Sequence, residues 1–180
     1  MAFFFPTPRL AVRPWRERDR PDLERMATDL DMMRFVTGRA WPATQIDEFL
    51  VRQQRHIRNH GICFGAVELG DRMQVAGVAG MQPLDGNFFK DDFELGWWIW
   101  KDFWGQGLAL EAITPFIKHA RNMGLKRVFA VIDPPNSASI RVAEKLGMRF
   151  DRTVSARETH STREDKPASV YAMELVPAKD

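Results

Sequence analysis

One cysteine and one tyrosine occur in 180 residues. Cys63 alone can form neither an internal disulfide nor a cysteine-built zinc site, which fits a reducing compartment. In "ICFGAV" it reads as a small buried apolar residue. No apolar run reaches the ~18 residues that cross a bilayer, and the start "MAFFFPTPRL" lacks a basic residue before its apolar run and a small-residue cleavage pattern after it. The chain therefore reads as soluble and cytoplasmic, with no membrane partner. Charge of one sign is missing too: 26 Lys and Arg stand against 24 Asp and Glu, a net charge of +2. That balance argues against a nucleic-acid partner but suits a small anionic ligand. His56, His60, His119 and His160 are scattered without metal-ligand spacing, so no metal is expected and none of the four is given a catalytic role.

What is present is enough apolar material, 44% of residues, for one proper core, and no repeat, low-complexity tract or linker divides residues 1–180, so one domain is expected. "RLAVRPW" (9–15) alternates as a strand does. A helix is expected over 19–29, with Asp19 as cap and Pro21 in its first turn, and another over 44–61, with Thr44 as cap and Gly61 as stop. Three strands follow, in 62–69, 74–84 and 91–100, separated by "GDR" and "DGNFFK" as hairpin turns in an antiparallel meander. A helix runs on to about Met123, its stripe of Ala109, Ala112, Ile113, Phe116, Ile117 and Ala120 interrupted by Pro115, where a kink is expected. "KRVFAVI" reads as a buried strand, "NSASIRVAEKLG" (136–147) as a short helix, and "MRFDRTVS" and "SVYAMELV" as closing strands joined by a polar loop.

Residues 104–112, "WGQGLALEA", place two glycines one residue apart at the mouth of a helix. Such a loop offers unpaired amides and the positive end of the helix dipole, which together hold phosphate. A P-loop would need Gly-Lys-Ser/Thr after four residues, and a dinucleotide fingerprint would need glycine where Leu110 stands. A glycine turn without a ligand remains the other reading.

The longer segment "ELGWWIWKDFWGQGLALEA" (94–112) resembles the cofactor segment of the GNAT N-acetyltransferases, and within them the RimJ/RimL-like branch that acetylates ribosomal-protein N-termini. "NSASIRVAEKLGMRF" (136–150) is similar to that family's Asn-x-x-Ser helix ending in Glu-Lys-Leu-Gly, with Met148 in place of an aromatic residue. The resemblance implies an α/β (α+β) GNAT fold: a mixed, mostly antiparallel central sheet of about seven strands, splayed between its fourth and fifth strands and flanked by helices. It implies acetyl-CoA as cosubstrate. Pantetheine would pair with the backbone of Trp98, Ile99 and Trp100, and Asn136 would contact the same arm. The diphosphate would rest on Trp104, Gly105, Gln106, Gly107, Leu108 and Ala109, chiefly on the amides of the last four.

On that resemblance, a neutral amine attacks the thioester and the CoA thiolate leaves. Glu94 is the expected general base, with Glu68 and Asp92 as weaker candidates. Many relatives protonate the thiolate with a tyrosine after their fifth strand. The only tyrosine here is Tyr171 in the last strand, so Ser139 is assigned that part. The tryptophans at 97, 98, 100 and 104 could stack on a base, but alternation makes core packing the better account of at least two. Two function classes stay open: an N-acetyltransferase acting on a peptide or small-molecule primary amine, and a CoA-binding sensor or interaction protein without turnover. The acceptor site is expected around 30–45 and in the loop at 155–167. Related proteins often dimerise, so a homodimer is possible.

Overall fold

In a computed structural model of the chain, residues 3–70, 74–85, 92–160 and 163–175 are described. The strands are β1 Phe5–Pro6, β2 Leu10–Arg13, β3 Phe64–Leu69, β4 Val75–Pro83, β5 Phe93–Ile99, β6 Arg127–Ile132, β7 Arg149–Ser155 and β8 Pro167–Glu174. The helices are α1 Arg20–Thr28, α2 Leu30–Met33, α3 Ala43–His60, α4 Leu108–Asn122, α5 Ser137–Lys145 and α6 Ala156–Thr159. Strand order is β1-β2-β3-β4-β5-β6-β8-β7, eight strands against the seven expected, because two-residue β1 adds a short edge. Among the described residues the ladders are antiparallel, except that between β5 and β6, which is parallel with Glu94 opposite Phe129. The mixed, mostly antiparallel sheet flanked by helices is the expected GNAT fold.

The chain gathers into two compact units: residues 1–80 with 97–113, and residues 81–96 with 114–180. β4, β5 and α4 each continue from one unit into the other.

In the first unit, Leu23, Met26, Met33, Trp41, Phe49, Phe64, Val75, Val78 and Trp100 form the core. α3 faces this core with Ile46, Phe49 and Gln53, as its helical spacing predicts. Its cap is Pro42, two residues before the expected Thr44, and it stops at Gly61, whose φ of +70° closes the last turn. Asp19 precedes α1 but its carboxylate does not cap it. Instead it binds the buried Arg13 guanidinium at 2.6 and 2.9 Å and the Arg16 amide at 2.7 Å. Arg13 also donates to Glu68 at 2.5 Å, so one cation ties β2 and β3 to the entrance of α1. Cys63 is buried, and burial pushes its thiol up to about 12.

The meander has the expected sense. The Leu69 amide donates to the Gln74 carbonyl at 3.0 Å where β3 passes to β4, and β4 meets β5 antiparallel through Trp100 N to Ala76 O at 2.7 Å and Leu84 N to Asp92 O at 2.9 Å. The turn centres at 71–73 and 86–91 lie outside the described residues. α4 runs through Pro115 to Asn122 and buries Ala112, Ile113, Phe116, Ile117 and Ala120. In the second unit Leu84, Phe129 and Val170 form a core cluster.

The polar stretch joining the last two strands is not a plain loop. Ser155 and Glu158 form a capping box that starts α6, and His160 caps its end. No helix among the described residues is long and apolar enough to cross a membrane.

Candidate functional site

β5 ends at Ile99, and a single 3-10 turn, Lys101–Phe103, leads to Trp104. The Trp104 indole donates to the Ile99 carbonyl at 2.6 Å, which folds the loop back on the strand it has left. Gly105 and Gly107 then take φ of +75° and +76°, the left-handed region that other L-residues enter at a cost. No heavy atom lies within 4 Å of where a Cβ on Gly105 would be, so the loop's backbone faces open space there. The first intrahelical bond of α4 runs from Glu111 N to Gly107 O at 3.1 Å. The amides of Leu108 and Ala109 therefore lie in the first turn, before any acceptor of the helix's own, where the dipole favours an anion. This is the geometry expected of "WGQG" followed by helix formers.

The first-turn carboxylate is braced from elsewhere in the same unit. Glu111 Oε1 accepts from Thr7 Oγ1 at 2.6 Å and from the Arg9 amide at 3.0 Å, while Arg9 Nε donates to Oε2 at 2.6 Å. Arg9 Nη1 donates to the Gln106 carbonyl at 2.9 Å. Burial alone would push the Glu111 carboxyl up, but the bonds from Thr7 and Arg9 hold it below its ordinary value.

Along β5 the two edges differ. The Trp100 amide is committed to Ala76 of β4, and the period of two then turns the amides of Trp97 and Ile99 to the other edge. Of the three residues expected to pair with pantetheine, Trp100 thus has its amide occupied, and Ile99 has the suitable orientation. Trp98 and Trp100 pack with the core cluster, Trp98 lying 5.4 Å from Trp41 between ring centres. These two are core residues, as the alternation predicts.

In the second unit, Glu94 is 2% exposed and surrounded by donors. Its Oε1 lies 2.8 Å from Gln82 Nε2, 2.7 Å from His160 Nε2 and 3.4 Å from Arg163 Nη2. Burial works against its charge, but Arg163 and His160 outweigh it, and with the bonds from His160 and Gln82 they hold the carboxyl at about 2. His160 moves the other way: burial lowers it, yet Glu94 and Asp85 together raise it above its ordinary value despite Arg163. Its Nδ1 faces Asp85 Oδ1 at 3.3 Å, and Asp85 is largely exposed. One imidazole thus spans from a buried carboxylate to a rim carboxylate. Gln82 Oε1 is buried with no partner among the described residues.

The weaker base candidates are held elsewhere: Glu68 by Arg13 at 2.5 Å, and Asp92 by Arg127 at 2.8 Å. Asn136 caps α5, its side chain accepting the Ser139 amide at 3.1 Å. Ser139 is half-buried in the first turn of α5 and is not among the contacts of Glu94. Tyr171 is in β8 and buried. His160, which its isolated position in the sequence gave no reason to choose, is the residue brought onto Glu94. The legible signal was the Ser155-x-x-Glu158 box, which fixes a helical turn and with it the position of His160. No cluster of three or more His, Cys, Asp or Glu among the described residues could hold a metal ion.

A strand leading through a left-handed glycine loop into a helix, on a mixed sheet of this order, is the arrangement that the sequence resemblance implies. Residues 9–149 match the family described as the acetyltransferase (GNAT) domain, and the chain belongs to that family. Among proteins of Bacillus subtilis strain 168, it is 29% identical over 167 residues to the uncharacterized protein YkkB, covering 92% of each chain. It is also similar in fold to the acetyltransferase of Agrobacterium tumefaciens strain C58, with a TM-score of 0.80 and 21% identity over 97% of this chain and 95% of that one. RimL, a ribosomal L7/L12 α-N-protein acetyltransferase solved with coenzyme A, gives a TM-score of 0.76 at 15% identity over 96% and 98% of the two chains.

Proposed function

We propose that the protein transfers the acetyl group of acetyl-CoA to a primary amine, either a peptide N-terminus, as in the RimJ/RimL-like branch, or a small-molecule amine. The observation that carries this reading is the loop at 104–109, whose two left-handed glycines and first-turn amides suit a diphosphate, within a chain of the GNAT family. On this reading Gln106, Gly107, Leu108 and Ala109 hold the diphosphate, and the Ile99 amide, turned to the edge away from β4, receives pantetheine. For Asn136 the family resemblance implies a contact with pantetheine, and for Ser139 the part of donor to the leaving sulfur. Acetyl-CoA supplies the activated thioester carbonyl.

The amine must shed a proton before it attacks. A carboxyl near 2 is a poor direct acceptor from an ammonium of about 8, so Glu94 acts through His160. Glu94 accepts a hydrogen bond from Nε2–H of the neutral imidazole, which leaves Nδ1, beside Asp85, as the nitrogen that takes the amine's proton. Asp85, largely exposed at the rim, draws the ammonium toward that nitrogen. The amine nitrogen then bonds to the thioester carbon, the carbon–sulfur bond breaks, and the sulfur leaves as thiolate, to be protonated.

The test is release of free thiol from acetyl-CoA with a panel of dipeptide N-termini, polyamines and amino acids. Amine-dependent release, reduced in kcat by Glu94→Gln with acetyl-CoA affinity retained, is the expected result. Tight acetyl-CoA binding with no release for any amine would favour the binding protein over the enzyme.

A further inference from the structure

On the reading that the loop at 104–109 holds the CoA diphosphate, we infer that Arg9, outside the loop by nearly a hundred residues, is a positioning residue of that subsite. A carboxylate in the first turn of α4 is an awkward neighbour for a phosphate. Glu111 sits there, charged, four residues after Gly107. Arg9 cancels that charge: Nε and Nη2 both reach Glu111 Oε2, at 2.6 and 2.5 Å. The same guanidinium holds the loop itself, through Nη1 to the Gln106 carbonyl at 2.9 Å. Its Nη2 is the nearest atom, at 3.9 Å, to where a Cβ on Gly107 would be.

The brace is two-sided. Thr7 Oγ1 and the Arg9 amide occupy the other Glu111 oxygen, so the turn between β1 and β2 grips both carboxylate oxygens. A guanidinium has five N–H donors. Three are spent on Glu111 and Gln106, and two remain on a side chain that is half exposed. Arg9 therefore does three things at once: it fixes the carbonyl between the two glycines, neutralises the competing carboxylate, and leaves donors suited to phosphate oxygens. A lysine could supply the charge but not the fork.

The consequence is specific to phosphate. Binding of acetyl-CoA, phosphopantetheine and pantetheine is measured on wild-type protein and on Arg9→Met, Arg9→Lys, Glu111→Gln and the double variant Arg9→Met/Glu111→Gln, with thermal melts of each. Arg9→Met should weaken acetyl-CoA about tenfold to a hundredfold, the size of a lost charge-assisted bond, while the weak binding of pantetheine, read by saturation-transfer NMR, stays as in the wild type. Arg9→Lys should lose less, and adding Glu111→Gln to Arg9→Met should restore part of the loss. Arg9→Met with wild-type acetyl-CoA affinity, or with pantetheine and acetyl-CoA weakened alike, overturns the inference. If Arg9→Met does not fold, Arg9→Lys and Glu111→Gln carry the test: Glu111→Gln must bind acetyl-CoA at least as well as wild type. Wild-type protein that binds no acetyl-CoA would instead remove the functional reading beneath it.

Discussion

Glu94 and His160 show how a buried residue pair can hold two protonation states in place. Glu94 has its ordinary carboxyl value of 4.5 lowered to about 2, so the stability its charge contributes is present above 4.5 and lost as pH falls toward 2. His160 is raised from 6.5, so its contribution is complete below 6.5 and lost as pH rises through the higher folded value. Between those limits the pair stabilises the fold most. His160→Gln should remove the alkaline loss from urea midpoints taken from roughly pH 5 to 9, and should flatten the rise of kcat/KM with pH that a neutral imidazole imposes. A wild-type rate that does not depend on pH across this range would take His160 out of the proton path.

At the scale of elements, the buried cation Arg13 joins two strands and a helix entrance. Its guanidinium and the Asp19 carboxylate are each almost fully buried, and burial opposes Asp19's charge while Arg13 and the Arg16 amide restore it. Removing one partner strands the others in a dry site, so Arg13→Met should cost about 3–5 kcal/mol in urea unfolding. A loss under about 1 kcal/mol would show that water reaches the pair. Much of this architecture was legible beforehand. The helix stops at Gly61 and Gly147 and the glycine loop follow from glycine's left-handed backbone, and the strands of the meander from alternation, both of which depend on near neighbours alone. The cap of α1 was not: Asp19 has the right residue type, but Arg13, six residues earlier and buried, takes its carboxylate. Likewise Glu94 was legible as an acid on a strand, whereas its partner His160 is 66 residues away and only tertiary packing brings them together. Arg9 and Glu111, 102 residues apart, were hidden for the same reason.

For the whole molecule, a net charge of +2 spread over 50 charged residues makes no strong field. On the proposed reading, anion recognition comes from local geometry, from the loop amides, the dipole of α4 and Arg9, rather than from a basic surface. The measurement that bears most directly on this account is calorimetric titration of the folded protein with acetyl-CoA, with NADH and ATP as comparison ligands. Saturable binding of acetyl-CoA in one site, with neither comparison ligand competing, is the result expected. No saturable binding of acetyl-CoA, in protein shown to be folded, would contradict the assignment of the 104–109 loop and with it the roles given to Glu94, Ser139 and His160.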